Sequence, residues 1–225
     1  THDIGSKDMS ILFKEFNHQV KKKYIFGLDL STVSSGVALY DYEEKRFLET
    51  ASVIEKGDNK IYEEFKEIIN LYEQWQKKYG LNLNNTFIAK EKQPVQYGMK
   101  TTIATLVAIA KIHGLVENYF YSRGQMVLDI AVPTIRKEVA GNSKADKEIV
   151  YNSMLERYPF QLKGKAGSKD ISDAMCVCLT GIVEYRKSCL EEIKELEKEL
   201  KVSKSKQKIE GLREKIKRLE NFCIY

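Results

Sequence analysis

The 225-residue sequence has four cysteines, Cys176, Cys178, Cys189 and Cys223, and no C-x-x-C pair among them. Neither a zinc knuckle nor a disulfide framework is indicated, and a reducing compartment is expected. No apolar run approaches the roughly 18 residues of a membrane span, and no secretory leader is visible at the start. An intracellular, cytoplasmic protein with no membrane partner is the expectation. Histidine is scarce, with three in the chain. His113 has no other His or Cys near it at ligand spacing, so a packed or hydrogen-bonded helix residue is expected there rather than a metal ligand. Charge of one sign is also in short supply: 37 Lys and Arg stand against 32 Asp and Glu. The resulting net charge of +5 permits a polyanionic partner without demanding one.

What is present suits one α/β domain with an appendage, since 43% of the residues are hydrophobic and the chain is long enough to bury a core. Residues 1–8 precede Met9 and carry no periodicity, and residues 1–20 are read as an N-terminal segment, partly disordered or added to the native sequence. From Lys21, KKKYIFGLDLS and GVALYDYEEKRFLETASVI read as three antiparallel strands, with Glu43, Glu44 and Lys45 as a hairpin turn. In NKIYEEFKEIINLYEQWQKKYG, Ile61, Phe65, Ile68, Ile69, Tyr72 and Trp75 recur at helical spacing, and Gly80 stands where a helix stops. NTFIAKEK reads as a fourth strand, Met99 to Tyr121 as a helix, and QMVLDIAV as a fifth strand closed by Pro133. Then come a helix in ADKEIVYNSMLERYP, a Gly/Lys loop, and a helix from about Ser168.

Four acids stand at the edges of apolar elements rather than on polar faces. The alternation Ile25, Gly27, Asp29 sets one carboxylate on a face of small or apolar neighbours, and Phe87, Ala89, Glu91 does the same on the fourth strand. Asp170 and Asp173 are three apart at the start of an apolar helix and share one face of its first turn. Taken singly, Asp170 is also a good first-turn acid and Asp29 a plausible strand-end residue. Together, four such carboxylates repel unless neutralised, and hard divalent cations are the usual partners of clustered oxygens, which reads as a Mg²⁺ or Mn²⁺ site.

The blocks FGLDLSTVSSGVALYD, IAKEKQPVQYGMKTTIATLVAIAKIHG, VPTIRKEVAGNSKADKEIV and SKDISDAMCVCLTG resemble, in order, those of RuvC-type Holliday junction resolvases, including the phage and poxvirus branches. The likeness spans about residues 22–187. It implies an RNase H-like fold: a mixed five-stranded sheet with helices on both faces, here with a C-terminal helical extension. It implies a homodimer that resolves branched DNA, and a metal site of Asp29, Glu91, Asp170 and Asp173. Lys147 would be catalytic at the scissile phosphate, and Arg136 and Lys144 occupy places where the family has basic residues. Tyr97 and Lys100, after the fourth strand, would face the junction by stacking on a base and holding phosphate, although Tyr97 can equally pack at the helix start. The helix TTIATLVAIAKIHGLVENYF has apolar surface enough for both the core and a dimer mate.

Domains are expected at 21–187, the nuclease, and 188–225, a helical hairpin or a helix pairing with a dimer mate. In the latter, Leu190, Ile193, Leu196 and Leu200 form one seam and Ile209, Leu212, Ile216 and Leu219 another. Other readings stay open: an RNase H-like nuclease acting on RNA/DNA hybrids or branched DNA, or a non-catalytic junction-binding protein. The first block also resembles the phosphate loop of actin-like ATPases, but no D-x-G-x-T loop follows.

Overall fold

The computed structural model describes residues 22–54, 57, 59–93, 102–125 and 127–223. The expected N-terminal segment lies outside them. Five strands form one sheet in the order β3-β2-β1-β4-β5, comprising β1 (Tyr24–Asp29), β2 (Ser35–Asp41), β3 (Arg46–Val53), β4 (Thr86–Glu91) and β5 (Val127–Ile130). The first three pair antiparallel, and β4 and β5 join parallel. The sheet is therefore mixed, as expected. Among the described residues there are seven helices: α1 (Lys60–Tyr79), α2 (Ile103–Tyr121), α3 (Val132–Ala140), α4 (Lys147–Arg157), α5 (Pro159–Leu162), α6 (Ser168–Val202) and α7 (Lys206–Cys223).

Local chemistry sets most boundaries. Gly80 ends α1 in the left-handed region at φ 68°, which glycine enters without a side-chain clash. Asp146 caps α4 by accepting the Ile149 N–H at 2.9 Å. Pro133 does not simply close β5. It occupies the first turn of α3, a helix the sequence reading did not contain, where its missing N–H leaves no bond unmade.

The two faces of the sheet differ in bulk. On one, Phe26, Leu28, Val37, Leu39 and Ile88 meet the apolar sides of α1 and α2, and Phe26 lies edge-on to Tyr72 at 5.1 Å and to Trp75 at 5.7 Å. The other carries Gly27, Gly36, Ala38 and Ala89, and here α6 lies against the strands. A Cβ on Gly27 would come within 2.4 Å of Cys178 Sγ and 2.7 Å of the Ala174 carbonyl oxygen, and one on Gly36 within 1.9 Å of the Asp170 carbonyl oxygen. Gly181, on the helix, returns the relation, its absent Cβ pointing at Ala89 at 3.3 Å. Small residues on both partners thus let the helix backbone approach the sheet closely.

Contacts divide the chain into two compact units, one of them Lys23–Gly181. In the other, the end of α6 and α7 share a core of Ile193, Leu196, Leu212, Ile216 and Leu219, with Leu200 packed against it, so the extension is a helical hairpin. Leu190, expected in that seam, is half exposed. Lys215 pairs with the buried Glu192 at 3.0 Å, and Lys208 with Glu199 at 2.8 Å. No helix among the described residues is long and apolar enough to cross a membrane.

Replacing Gly36 by alanine forces a methyl group into the Asp170 backbone, which cannot rotate away. The expected cost is about 1–3 kcal/mol, read as a fall in melting temperature of roughly 3–10 °C. An unchanged melt would show that α6 is not seated on this glycine.

Candidate active site

Asp29 is the last residue of β1 and Glu91 the last of β4. The parallel register closes at Leu28 and Lys90, so the two acids leave the sheet side by side, one step beyond that pair. Carboxyl ends of adjacent parallel strands are where open α/β sheets gather their functional groups. Asp29 also faces Gly36 across β2, and Gly36 faces Ser52 across β3. One row across the sheet therefore reads Ser52, Gly36, Asp29, Glu91.

The start of α6 is laid over this row. Gly36 sits beneath the Asp170 carbonyl, and Ser52 Oγ donates to Asp170 Oδ2 at 3.1 Å. Gly167, just before the helix, is glycine for two reasons. Its φ is +66°, and a Cβ there would strike Ser52 Oγ at 2.2 Å. From Asp170 the helix carries Asp173 along the same face. Lys147, first residue of α4, brings Nζ to 3.2 Å from Asp173 Oδ2.

The electrostatics follow from this convergence. Asp29 is held well above the ordinary carboxylate range, first by desolvation and then by the charges of Glu91, Asp173 and Asp170, with Lys147 opposing. Desolvation also raises Glu91, and Lys147 and Arg136 offset part of it. Asp173 is raised for the same reason, against the pull of Lys147, its hydrogen-bonded partner. Lys147 loses some hydration on one flank, yet the fields of Asp173, Asp29 and Glu91 together hold it above the usual lysine value. The four carboxylates expected as ligands, with Lys147 and Arg136, thus share one field. Among the described residues no three His, Cys, Asp or Glu side chains stand close enough to form a ready metal cage. The described polar partners of these acids are the Ser52 hydroxyl, on Asp170, and the Lys147 ammonium, on Asp173.

Lys144 lies exposed on the turn before α4, its N–H donating to Asn142 Oδ1 at 2.9 Å, and the structure does not join it to the carboxylates. Tyr97 and Lys100 fall outside the described residues. The sequence reading passed over Ser52, whose one signal is its register with Asp29, and Lys90. Lys90 is in phase with Ile88 on the apolar face of β4, and that phase is the sign that could have marked it.

A sequence model of the family described as crossover junction endodeoxyribonuclease RuvC matches residues 25–181. The chain belongs to that family. The crossover junction endodeoxyribonuclease RuvC of Prochlorococcus marinus subsp. pastoris is 28% identical over 167 residues, which cover 71% of this chain and 96% of the relative. Among solved structures, Thermus thermophilus RuvC in complex with a Holliday junction substrate superposes with a TM-score of 0.54 at 16% identity, over 70% of this chain and 92% of that one. The yeast mitochondrial Holliday junction resolvase Ydc2 gives 0.50 at 10% identity, over 97% of this chain and 90% of its own. At such identities the two structures establish the RNase H-like fold of the RuvC family and leave the chemistry to the residues.

The raised carboxylates make a prediction for stability. Because the native state binds the Asp29 proton more tightly than the unfolded chain, this group favours folding at acid pH. That contribution is lost as the pH rises from the ordinary carboxylate range through the raised native value. In EDTA at pH 8, Asp29→Asn should therefore melt above the wild type by roughly 2–4 °C, the response to about 1 kcal/mol in a chain of this size. The difference should shrink toward pH 4, and thermal melts across that range measure it.

Proposed function

We propose that this RuvC-family chain is a structure-selective endonuclease that nicks four-way DNA junctions symmetrically, using Asp29, Glu91, Asp170 and Asp173 to hold two divalent cations, Mg²⁺ with Mn²⁺ as a substitute. The observation that carries the reading is the row Ser52, Gly36, Asp29, Glu91 with the acidic turn of α6 laid over it, which gathers acids distant in sequence into one field. The donor set fits such ions: it is all oxygen, as hard cations prefer, and its desolvated charges call for a counter-charge.

When bound, the cations supply a water of lowered pKa and charge to offset the leaving 3′ oxygen. The chain's own residues do the rest. Asp29, centrally placed, bridges the strand side of the site and the helix side. Ser52 fixes the Asp170 carboxylate by donating to Oδ2, leaving Oδ1 to turn toward a cation. Lys147 neutralises Asp173 in the resting protein and, with its side chain largely exposed at 77%, swings to the scissile phosphate when DNA arrives. Arg136, half-buried beside Glu91 and Asp173, draws the backbone in, and Lys144 on its exposed turn adds a phosphate contact. Tyr97 and Lys100, following Glu91 in the chain, meet the branch point.

A junction presents two symmetric strands, which a twofold dimer matches. Helix α2 buries Ile112, Val116 and Phe120 against the core and turns Ile103, Val107 and Ala110 outward, beside a groove that includes Tyr62 and Gly114. We assign the dimer contact to this outer face. The nuclease occupies residues 21–187, and the extension from 188 serves as an accessory arm. The setting is the cytoplasm of a bacterial, phage-infected or virus-infected cell.

The test is incubation with a synthetic four-way junction, a duplex, a flap and an RNA/DNA hybrid in Mg²⁺, Mn²⁺ or EDTA. Paired symmetric nicks in the junction alone are expected. Asp29→Asn should abolish them while junction binding persists, and Lys147→Met should slow them by about 10²–10³-fold. Equal cleavage of the hybrid would point to a ribonuclease, and binding without cleavage in either metal would leave a non-catalytic binder. Separately, Val107→Glu should convert a dimer to a monomer in light scattering, and a wild type that is already monomeric would refute the dimer.

A further inference from the structure

Directly behind the acids, on the opposite face of β4, lies a buried cationic centre that the nuclease reading leaves unused. Lys90, the neighbour of Glu91, is 1% exposed. Its Nζ is bonded to Asp129 Oδ1 on β5, its register partner, and lies 2.9 Å from Glu117 Oε1 and 3.1 Å from His113 Nδ1, both on α2. An ammonium has three protons, and here each has an acceptor. Since an ammonium has no lone pair, Nδ1 of His113 must accept, which leaves the proton on Nε2. Burial and the Lys90 charge keep the ring neutral, its pKa lowered to about 4. The backbone of Leu30, the residue after Asp29, also acts on this ring and opposes part of that lowering.

His113 therefore stands between two points, each one residue from an acid of the site: Lys90 before Glu91 on β4, to which it is bonded, and Leu30 beyond Asp29 after β1. The parallel ladder has already ended at Leu28 and Lys90. We infer that Lys90 and His113 are positioning residues that hold the ends of β1 and β4 where the two strands no longer pair with each other, and so set the separation of the Asp29 and Glu91 carboxylates for cation binding. This rests on the nuclease reading. The bulk of α2 does not explain the arrangement, because an apolar side chain at either position would fill the space without joining the strand ends. The groups facing the ring are Lys90 and Asp129 from the sheet and the Leu30 backbone from the strand end.

The experiment measures Mn²⁺ binding to the protein alone by electron paramagnetic resonance, beside circular dichroism and nicking. His113→Phe keeps the volume and removes both ring nitrogens, whereas His113→Asn keeps an acceptor and a donor. Lys90→Met tests the other member. Removing residues that orient metal-binding groups typically costs about 10–100-fold in metal affinity. A loss of that size is expected in His113→Phe and Lys90→Met, with recovery in His113→Asn and junction affinity in EDTA unchanged. A folded His113→Phe protein that binds Mn²⁺ as tightly as the wild type overturns the inference while leaving the nuclease reading intact. Should Lys90→Met fail to fold, the His113 pair decides alone. Wild-type protein that binds no Mn²⁺ sinks the nuclease reading and the inference together.

Discussion

The close seating of α6 on the small-residue face of the sheet is the contact from which the site follows. Gly27 and Gly36 leave no Cβ between strand and helix, and the first turns of α6 drop onto β1 and β2 until the Asp170 carbonyl covers Gly36. Because Gly36 is the register partner of Asp29, the same contact that packs the helix also brings its acids over the strand acid. Packing and site assembly are one event here. The apolar cluster on the other face, built on Phe26, Tyr72 and Phe120, supplies hydrophobic driving force for folding the sheet that receives the helix.

That arrangement collects charge that elementary electrostatics opposes. Desolvation and mutual repulsion push Asp29, Glu91 and Asp173 up together, and one lysine from α4 offsets part of the cost. A protein selected for stability alone has no reason to concentrate carboxylates at strand ends, which is the physical sense of reading such a cluster as functional. The buried Lys90, on the reverse of the same strand, is opposite in kind. It is matched by two carboxylates and an imidazole, which give its buried amine acceptors from two elements.

Much of this was legible in the residues. Period-two alternation marks β1 and β4 and puts Asp29 and Glu91 on the face of Gly27 and Ala89, and Gly80 announces the end of α1. The resemblance of four blocks in order supplied what spacing does not, that β1 and β4 are neighbours. Other features were hidden because their cause is tertiary. Pro133 reads as a strand terminator, and nothing local says it also opens a helix. The change of composition after Tyr185 suggests a boundary near 187, yet α6 runs on to Val202, since a helix needs backbone hydrogen bonds and no particular composition. Ser52 gains meaning only from strand register, and Lys90 only from the acids that meet it across two elements.

The two glycines under α6 also bear on how such an enzyme can change. A position where backbone meets backbone admits no larger side chain, so the floor of the site cannot be retuned by ordinary substitution, and a variant there fails before it adapts. Diversification is thereby pushed outward, to exposed positions such as the turn before α4. Two members of the lineage can then share this base and still differ at that turn.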